Sequence, residues 1–179
     1  MRILKLVSGF ILILSVSVNA AEKDTIIYEA DPFRGDAEIS TAPFVSRKGF
    51  FDKFPVTISY RANYREGDLK FLQLYVSIQN TEWGFFNEAY GQDGQKLELL
   101  TITEDVGAIT GTNMVVVKED VALTITKDYL STMIRDDWEI KLYGKKREGT
   151  FTVPQITTRK FKEAIECFES EDCDIQNYK

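Results

Sequence analysis

Apolar and polar residues alternate with a period of two along much of this chain. The pattern covers residues 56–60, 72–78 and 138–143, and a turn rich in charge and glycine, residues 66–68, separates the first two runs. Strict alternation is typical of antiparallel strands that place one face on an apolar core and the other in water. The sequence therefore predicts a sheet with one buried face.

Further β-prone runs are expected at residues 83–90, 97–103, 106–109, 113–118, 121–126 and 150–153. Asp93-Gly94 lies between two of these runs and predicts a tight hairpin, because both turn positions of such a hairpin must accept a positive φ. Residues 144–149 predict a second turn, which is rich in Gly and Lys. The chain is thus expected to contain about nine short strands.

Two segments have the period of a helix instead. Residues 127–135 place apolar side chains on one face, with Thr126 as the N-cap, and a last helix is expected to begin near Thr158. Its apolar stripe consists of Phe161, Ala164, Ile165 and Phe168. Together these elements predict a mainly β (α+β) fold, either an antiparallel β-sandwich or a curved sheet, with two short helices of which the second is C-terminal.

Residues 1–20 have the three-part layout of a signal peptide. A basic start with Arg2 and Lys5 precedes an apolar run, and small residues stand at Val18 and Ala20 before the expected cleavage point. The apolar run of residues 6–18 is shorter than the roughly 20 residues that span a bilayer. We therefore expect one exported globular domain over residues 21–179, with no transmembrane segment after processing.

Within that domain, residues 31–55 show neither period and are expected to form an irregular segment. Five phenylalanines lie in it, and we expect them to pack onto the body of the domain: Phe33, Phe44, Phe50, Phe51 and Phe54.

The charge balance and the leader together predict a location. Removing residues 1–20 takes away two of the 22 basic residues and none of the 28 acidic ones, which leaves a net charge of −8. Non-specific nucleic-acid binding needs a basic surface and is therefore excluded. The apolar run with Lys and Arg before it is typical of a bacterial precursor, so the periplasm is expected, and otherwise secretion.

The absence of histidine excludes several kinds of catalytic site. A Ser-His-Asp triad, a Cys-His dyad and His-ligated zinc or iron cannot be built from this chain. The calcium-binding loop pattern is absent as well. We predict no catalytic residue, no cofactor and no metal, although a hydrolase that uses carboxylates alone stays open.

Cys167 and Cys173 are the two cysteines of the chain. In an oxidising compartment two cysteines this close in sequence are expected to pair. The acidic residues around them disfavour a reactive thiolate, so we predict a structural disulfide.

Two charged clusters are candidate partner-binding sites. The acids Glu169, Glu171 and Asp172 follow the last helix, and the cations Lys145, Lys146 and Arg147 lie at a predicted turn. Each cluster has an alternative explanation as solvated surface.

Four aromatic residues are open to two interpretations as well. Trp83, Phe85, Phe86 and Tyr90 either pack in the core or offer rings on which a sugar stacks.

These observations favour an exported, non-enzymatic protein that acts by macromolecular interaction, as an accessory subunit or an immunity-type inhibitor. Its partner is expected to be another protein with a basic surface. The alternative is a β-sandwich that binds a small ligand or a glycan, and a carboxylate-only hydrolase is third. The sequence specifies no oligomeric state.

Overall fold

The computed structural model describes residues 25–46, 56–108, 115–170, 173 and 175. Ten strands and two helices lie in these residues. They are β1 (Ile26–Asp31), β2 (Asp36–Thr41), β3 (Phe44–Val45), β4 (Val56–Arg65), β5 (Asp68–Asn80), β6 (Phe86–Gly91), β7 (Lys96–Ala108), β8 (Val115–Thr124), α1 (Lys127–Met133), β9 (Trp138–Gly144), β10 (Glu148–Val153) and α2 (Gln155–Glu169).

The strands form one curled antiparallel sheet, a half-barrel with the order β1-β2-β4-β5-β8-β7-β6-β9-β10, and β3 adds to the edge of β4. The predicted mainly β fold with two helices is thus confirmed, in its curved-sheet form. β7 pairs with β8 over most of its length but meets β6 only at Lys96 and Leu97. The two halves of the sheet therefore join through one end of β7.

The period-two pattern sets which face of the sheet is buried. Ile58, Leu74, Ile140 and Leu142 are all fully buried, while their neighbours in sequence are in most cases half-buried or exposed. A turn is present at each predicted position. At Asp93-Gly94 only Gly94 has a positive φ, of 80°, and the N–H of Gly94 donates to the carbonyl of Gly91, so the turn spans residues 91–94 and is longer than the two-residue turn that was expected.

Both helices pack on the apolar face of the sheet. Thr126 caps α1 as predicted, since its side chain accepts the N–H of Tyr129 at 3.1 Å. α2 begins at Gln155, three residues before the expected Thr158. Its N-cap is Pro154, which makes no side-chain capping bond. The Phe161 ring stacks on Tyr60 with 4.8 Å between centroids.

The expected irregular segment at residues 31–55 is wrong in part. β2 and β3 lie inside it, and β2 is bonded on both sides, by β1 and by β4. Ala37, Ile39 and Thr41 point inward, but Ala37 is small and Thr41 is polar, so the alternation of β2 is weak in the sequence. Phe44 is buried as expected, whereas Phe33 is 98% exposed at the β1–β2 turn, and Phe50, Phe51 and Phe54 lie outside the described residues.

The three short strands expected between residues 106 and 126 belong to two longer strands: the first is the end of β7, and the other two are the halves of β8. β7 runs without a break to Ala108, and β8 runs from Val115 to Thr124. Glu119 and Asp120, which interrupt the apolar pattern, lie inside β8 and are both buried.

The predicted disulfide between Cys167 and Cys173 is confirmed, with 5.1 Å between the two Cα atoms. It ties the end of α2 to the tail, where Ile175 is buried again. Among the described residues, no helix has the length and apolar content needed to cross a bilayer. Residues 1–20, the expected signal peptide, lie outside the described residues.

Candidate functional site

One edge of β7 is open. β8 pairs with β7 from Glu98 to Ala108, but on the opposite edge no strand of the described residues pairs with β7 beyond Leu97. Residues 101–107 are all exposed, on both faces of the strand. We call this edge, residues 98–108 on the side away from β8, the open edge of β7.

Large apolar side chains lie along this segment. Leu100 is 41% exposed, Ile102 is 44% exposed, and Val106 on β7 and Val115 on β8 are each 58% exposed. Val115 pairs with Ala108 and Val117 with Val106, so Val106 and Val115 lie on one face of the β7–β8 strand pair, which we call the arm. Leu100 pairs with Ala122 and lies on the other face. Neighbouring apolar side chains that are exposed on a folded protein, as Val106 and Val115 are, are typical of an interaction site.

The open edge also carries a bulge and acidic side chains. Thr101 pairs with Val121 and Thr103 with Asp120, so Ile102 is an extra residue in β7. Glu98, Glu104 and Asp105 are exposed. The Asp105 carboxylate accepts the N–H of Val106 at 2.7 Å, which satisfies a backbone donor without a second strand.

Buried Glu119 anchors the base of the arm. It is 4% exposed, and its two carboxylate oxygens accept the N–H groups of Gly84 at 2.6 Å and of Phe85 at 2.7 Å. These bonds fix the loop before β6, in which Phe85 has a φ of +53°. Charge-assisted bonds of this kind offset the cost of burying a carboxylate.

Asp120 faces the opposite side of the sheet. Burial raises the pKa of Asp120, but hydrogen bonds from Lys118, Ser77 and Tyr75 outweigh it and hold that pKa below its usual value. The Lys118 ammonium lies 2.7 Å from its carboxylate. The sequence placed Glu119-Asp120 between the expected strands of residues 113–118 and 121–126, because the donors to Glu119 lie more than thirty residues away and leave no local signal.

The predicted cationic site at residues 145–147 is a turn that packs on this same loop. The backbone N–H groups of Lys145 and Lys146 donate to the carbonyls of Phe85 and Gly84, at 3.2 and 3.1 Å. Arg147 donates to Glu82 at 2.8 Å, and this bond lowers the pKa of the Glu82 carboxyl. Lys145 and Lys146 are exposed, and Arg147 is already engaged within the chain.

The predicted acidic site at the C-terminal end of α2 is described only at Glu169. Its carboxylate accepts the hydroxyl of Tyr64 at 2.8 Å and the ammonium of Lys127 at 2.5 Å. Glu171 and Asp172 lie outside the described residues. Glu169 is therefore bonded within the fold, and the structure does not bring it near the cations at residues 145–147.

The aromatic residues from Trp83 to Tyr90 divide between core and surface. Phe86 is buried, Trp83 and Phe85 are half-buried and stack with 5.9 Å between centroids, and Tyr90 is half-buried. Tyr90 meets Tyr143 edge to face on the outer side of β6 and β9. Both rings line a shallow pocket of about 380 Å³, with Lys141, Glu139 and Thr150.

Lysine side chains cover the faces of these two tyrosines. The ammonium of Lys96 lies 5.7 Å from the centre of the Tyr90 ring, and that of Lys141 lies 4.6 Å from the centre of the Tyr143 ring. A sugar that stacked here would have to displace them, so the pocket is a weaker candidate than the open edge.

Acidic side chains and cysteines of the described residues form no group of three or more that would hold a metal ion. Comparison of the chain with protein-family models, with curated proteins and with solved structures finds no match. The geometry of its own residues is thus the basis on which a function is proposed for this chain.

Proposed function

We propose that this protein is an exported, non-enzymatic protein that acts by binding another protein, as an accessory subunit or an inhibitor. The observation that carries the proposal is the arm, on which Leu100, Ile102, Val106 and Val115 are exposed, Leu100 on one face and Val106 and Val115 on the other. Exposed apolar area costs free energy in water, and a partner that covers it recovers that free energy.

The buried acids at the base of the arm support the same proposal. Glu119 and Asp120 bind the loop before β6 and the side chains of β5 through hydrogen bonds, so the arm is fixed to its neighbours. A fixed surface loses less conformational entropy on binding than a mobile one.

The disulfide supports export. A bond between Cys167 and Cys173 is stable in an oxidising compartment such as the periplasm and is rare in the cytosol. Intact mass of the exported protein tests the expected processing after Ala20, and thiol labelling of the unreduced, denatured chain tests the bond. A mature chain that begins elsewhere than Ala21, or one with two labelled thiols, would contradict this part.

Capture from the native periplasm tests the function. Tagged mature protein is compared with a variant in which Ile102 and Val106 are both changed to Ser, and the matched control carries Ile27→Ser and Ile156→Ser, two exposed apolar positions away from the arm. We expect one protein to be captured by the wild type and by the control but not by the arm variant. Equal capture by all three, or no captured protein, contradicts the proposal.

A second candidate, binding of a small ligand or a glycan, is favoured by the pocket beside Tyr90 and Tyr143. Titration with short oligosaccharides, followed by calorimetry, tests it. Tyr90→Ala would then weaken binding, whereas Phe33→Ala, at an exposed ring remote from the pocket, would not.

A further inference from the structure

β1 and β2 form a hairpin, residues 26–41, whose turn presents a phenylalanine to water. Phe33 is 98% exposed, while no other large apolar side chain of the described residues is more than 58% exposed. Burial of a ring of this size is favourable, but within this chain nearly all of it stays in water. Aromatic side chains are typical anchors of protein–protein contacts, in which a pocket of the partner covers them.

Hydrogen bonds hold this turn in one shape. The N–H of Phe33 donates to the Asp31 carboxylate at 3.0 Å, and the N–H of Arg34 donates to the Asp31 carbonyl at 3.2 Å. The carbonyl of Gly35, which has a φ of 66°, accepts the N–H of Glu66 in the neighbouring β4–β5 turn at 2.8 Å. The ring is therefore carried by a fixed turn, and a partner that covers it would order little additional backbone.

Two pairs of like charges lie beside the turn, on the outer face of the hairpin. Asp31 pairs with Asp36, and Glu29 pairs with Glu38. With Asn63 these four acids line a depression of about 230 Å³. Like charges directly opposite one another destabilise a strand pair. Each pair is therefore stabilised by a cation that lies next to it.

The chain supplies cations to one pair and not to the other. Arg34 lies 3.7 Å from the carboxylate of Asp31, and Arg65 lies 2.8 Å from that of Asp36. Within the part of the chain that the structure describes, no Lys or Arg forms an ion pair with either glutamate of the second pair. A lysine or arginine of a partner, placed between the two glutamates, would have a carboxylate on each side and would remove their repulsion.

We infer that the outer face and the turn of the β1–β2 hairpin bind a basic protein, which places a lysine or arginine between Glu29 and Glu38 and covers Phe33 with an apolar pocket. The ring is four positions from Glu29 in the sequence, so one contact reaches both. The inference rests on the proposed function, the binding of another protein, and adds a site and its chemistry to it. The excess of acidic residues in the chain, 28 against 22 basic ones, attracts such a partner.

The hairpin and the base of the arm lie at opposite ends of β4. Asp36, next to the turn, pairs with Arg65 at the end of β4, whereas Val56 at its start pairs with Ile78, and Ile78 pairs with Glu119. β4 has ten residues, so its ends are about 30 Å apart. Variants at one site therefore leave the other site unchanged.

Photo-crosslinking in cells that make the protein tests the contact. p-Benzoylphenylalanine replaces Phe33 in one chain and Ile156, which is 43% exposed on α2, in the matched control. Irradiation is expected to join one protein to position 33 and none to position 156. That protein is then purified, and its affinity for the mature chain is measured by calorimetry.

Two variants of the mature chain locate the site. Phe33→Ser removes the ring, and Glu29→Gln with Glu38→Gln removes the charge of the second acid pair. Each is expected to weaken binding of the purified partner about tenfold or more, as the loss of an anchor side chain or of a charge pair at the centre of a contact does. Raising the salt concentration from about 50 to about 300 mM should weaken binding of the wild type more than that of the glutamine variant.

The matched controls change the same kinds of side chain elsewhere. Ile156→Ser removes an exposed apolar side chain, and Asp136→Asn with Glu148→Gln removes two exposed acids that flank β9. Both controls are expected to bind the partner as the wild type does.

Unfolding of the free variants in urea gives a second readout. Phe33→Ser should unfold at the same urea concentration as the wild type, because a ring that is 98% exposed makes little contact with the fold. The glutamine variant should unfold at a higher concentration, because it removes the repulsion between Glu29 and Glu38. Weaker binding together with these results cannot come from a misfolded hairpin.

Absence of an adduct at position 33, an equal adduct at position 156, or unchanged affinity in either hairpin variant overturns the inference. Binding of calcium chloride that the glutamine variant abolishes overturns it in favour of a cation site. Self-association of the mature chain that the same variant abolishes overturns it in favour of a second copy.

The arm variant, Ile102→Ser with Val106→Ser, separates this inference from the proposed function. If the arm variant loses binding and the hairpin variants do not, the inference fails while the proposed function stands. If the hairpin variants alone lose binding, the role proposed for the arm fails instead.

Discussion

The hydroxyl of Tyr64 donates to the carboxylate of Glu169 at 2.8 Å, across 105 positions of the sequence. The ammonium of Lys127 lies 2.5 Å from the same carboxylate, so this one side chain joins β4, α1 and α2. Burial and the bond to Glu169 raise the pKa of Tyr64 far above its usual value. Glu169 stands at the negative end of the helix dipole of α2, and Lys127 supplies the opposing charge.

Tyr64→Phe tests this junction. The change removes the donor and keeps the ring, and a hydrogen bond to a charged acceptor contributes about 1.5–3 kcal/mol to stability. We therefore expect the free energy of unfolding, measured in urea, to fall by about that amount. The matched control is Tyr28→Phe, which removes a hydroxyl from a half-buried ring that also contacts Phe168. Equal losses in the two variants would contradict the prediction.

Trp138 is expected to be a major stabilising side chain. It is 6% exposed, and its Nε1 donates to the Tyr129 hydroxyl at 3.0 Å. Trp138→Ala should lower the free energy of unfolding by about 3–5 kcal/mol, because it leaves a cavity. Trp138→Phe keeps most of the volume and should cost less. An unchanged denaturation midpoint in Trp138→Ala would show that the side chain carries little of the packing.

Asp120 should make the stability of the fold depend on acid pH. Since its pKa is held below the unfolded value of about 3.9, its contribution is present above that pH and is lost as pH falls through the lower folded value. Asp120→Asn should abolish the part of the stability loss at acid pH that comes from Asp120. It should also lower the free energy of unfolding at neutral pH by about 1–3 kcal/mol. Denaturation series from pH 2 to 7 measure the change.

The control for that series is Asp36→Asn. Asp36 is also bonded, to Arg65 at 2.8 Å, and this bond lowers its pKa, but the pair is solvated. Its removal should change stability less than that of Asp120 at every pH. If the free energy of unfolding depended on pH in the same way in Asp120→Asn as in the wild type, the assignment of this pH dependence to Asp120 would be contradicted.

Gly144 is required by a close approach of two chain segments. A Cβ at this position would lie 2.4 Å from the carbonyl oxygen of Gly84, which is backbone and cannot move aside. Gly144→Ala should therefore destabilise the protein by about 1–3 kcal/mol. Gly107→Ala is the control, since its Cβ would meet Val116 at an ordinary 3.7 Å. A thermal shift assay that found equal effects would disprove the steric reason.

Elements with a clean local pattern could be predicted from the sequence. The strand around Ile58 alternates strictly, α1 has its cap at Thr126, and the two cysteines are close along the chain. In each case the deciding interaction lies within a few residues, or one face of an element is wholly apolar.

Elements that depend on distant partners were missed. β8 contains Glu119 and Asp120, two acids that in sequence are typical of a turn. They are accommodated inside a strand because the N–H groups of Gly84 and Phe85 donate to the Glu119 carboxylate. β2 exists because strands on both sides bond it. The open edge of β7 could not be foreseen for the same reason, because an edge is a property of the strand order and not of the strand.

α2 sets the order in which this chain can finish folding. Tyr60 in β4 is joined to Thr158 by hydroxyl groups 2.8 Å apart, although 98 positions separate the two residues. Because the chain is synthesised from its N-terminus, all of the described strands are made before α2, the helix that covers β4. The apolar face around Tyr60 then stays exposed to water until α2 has been synthesised. Contacts between residues so far apart in sequence form slowly. A chain cut short before α2 would keep that face exposed, and it would aggregate rather than fold.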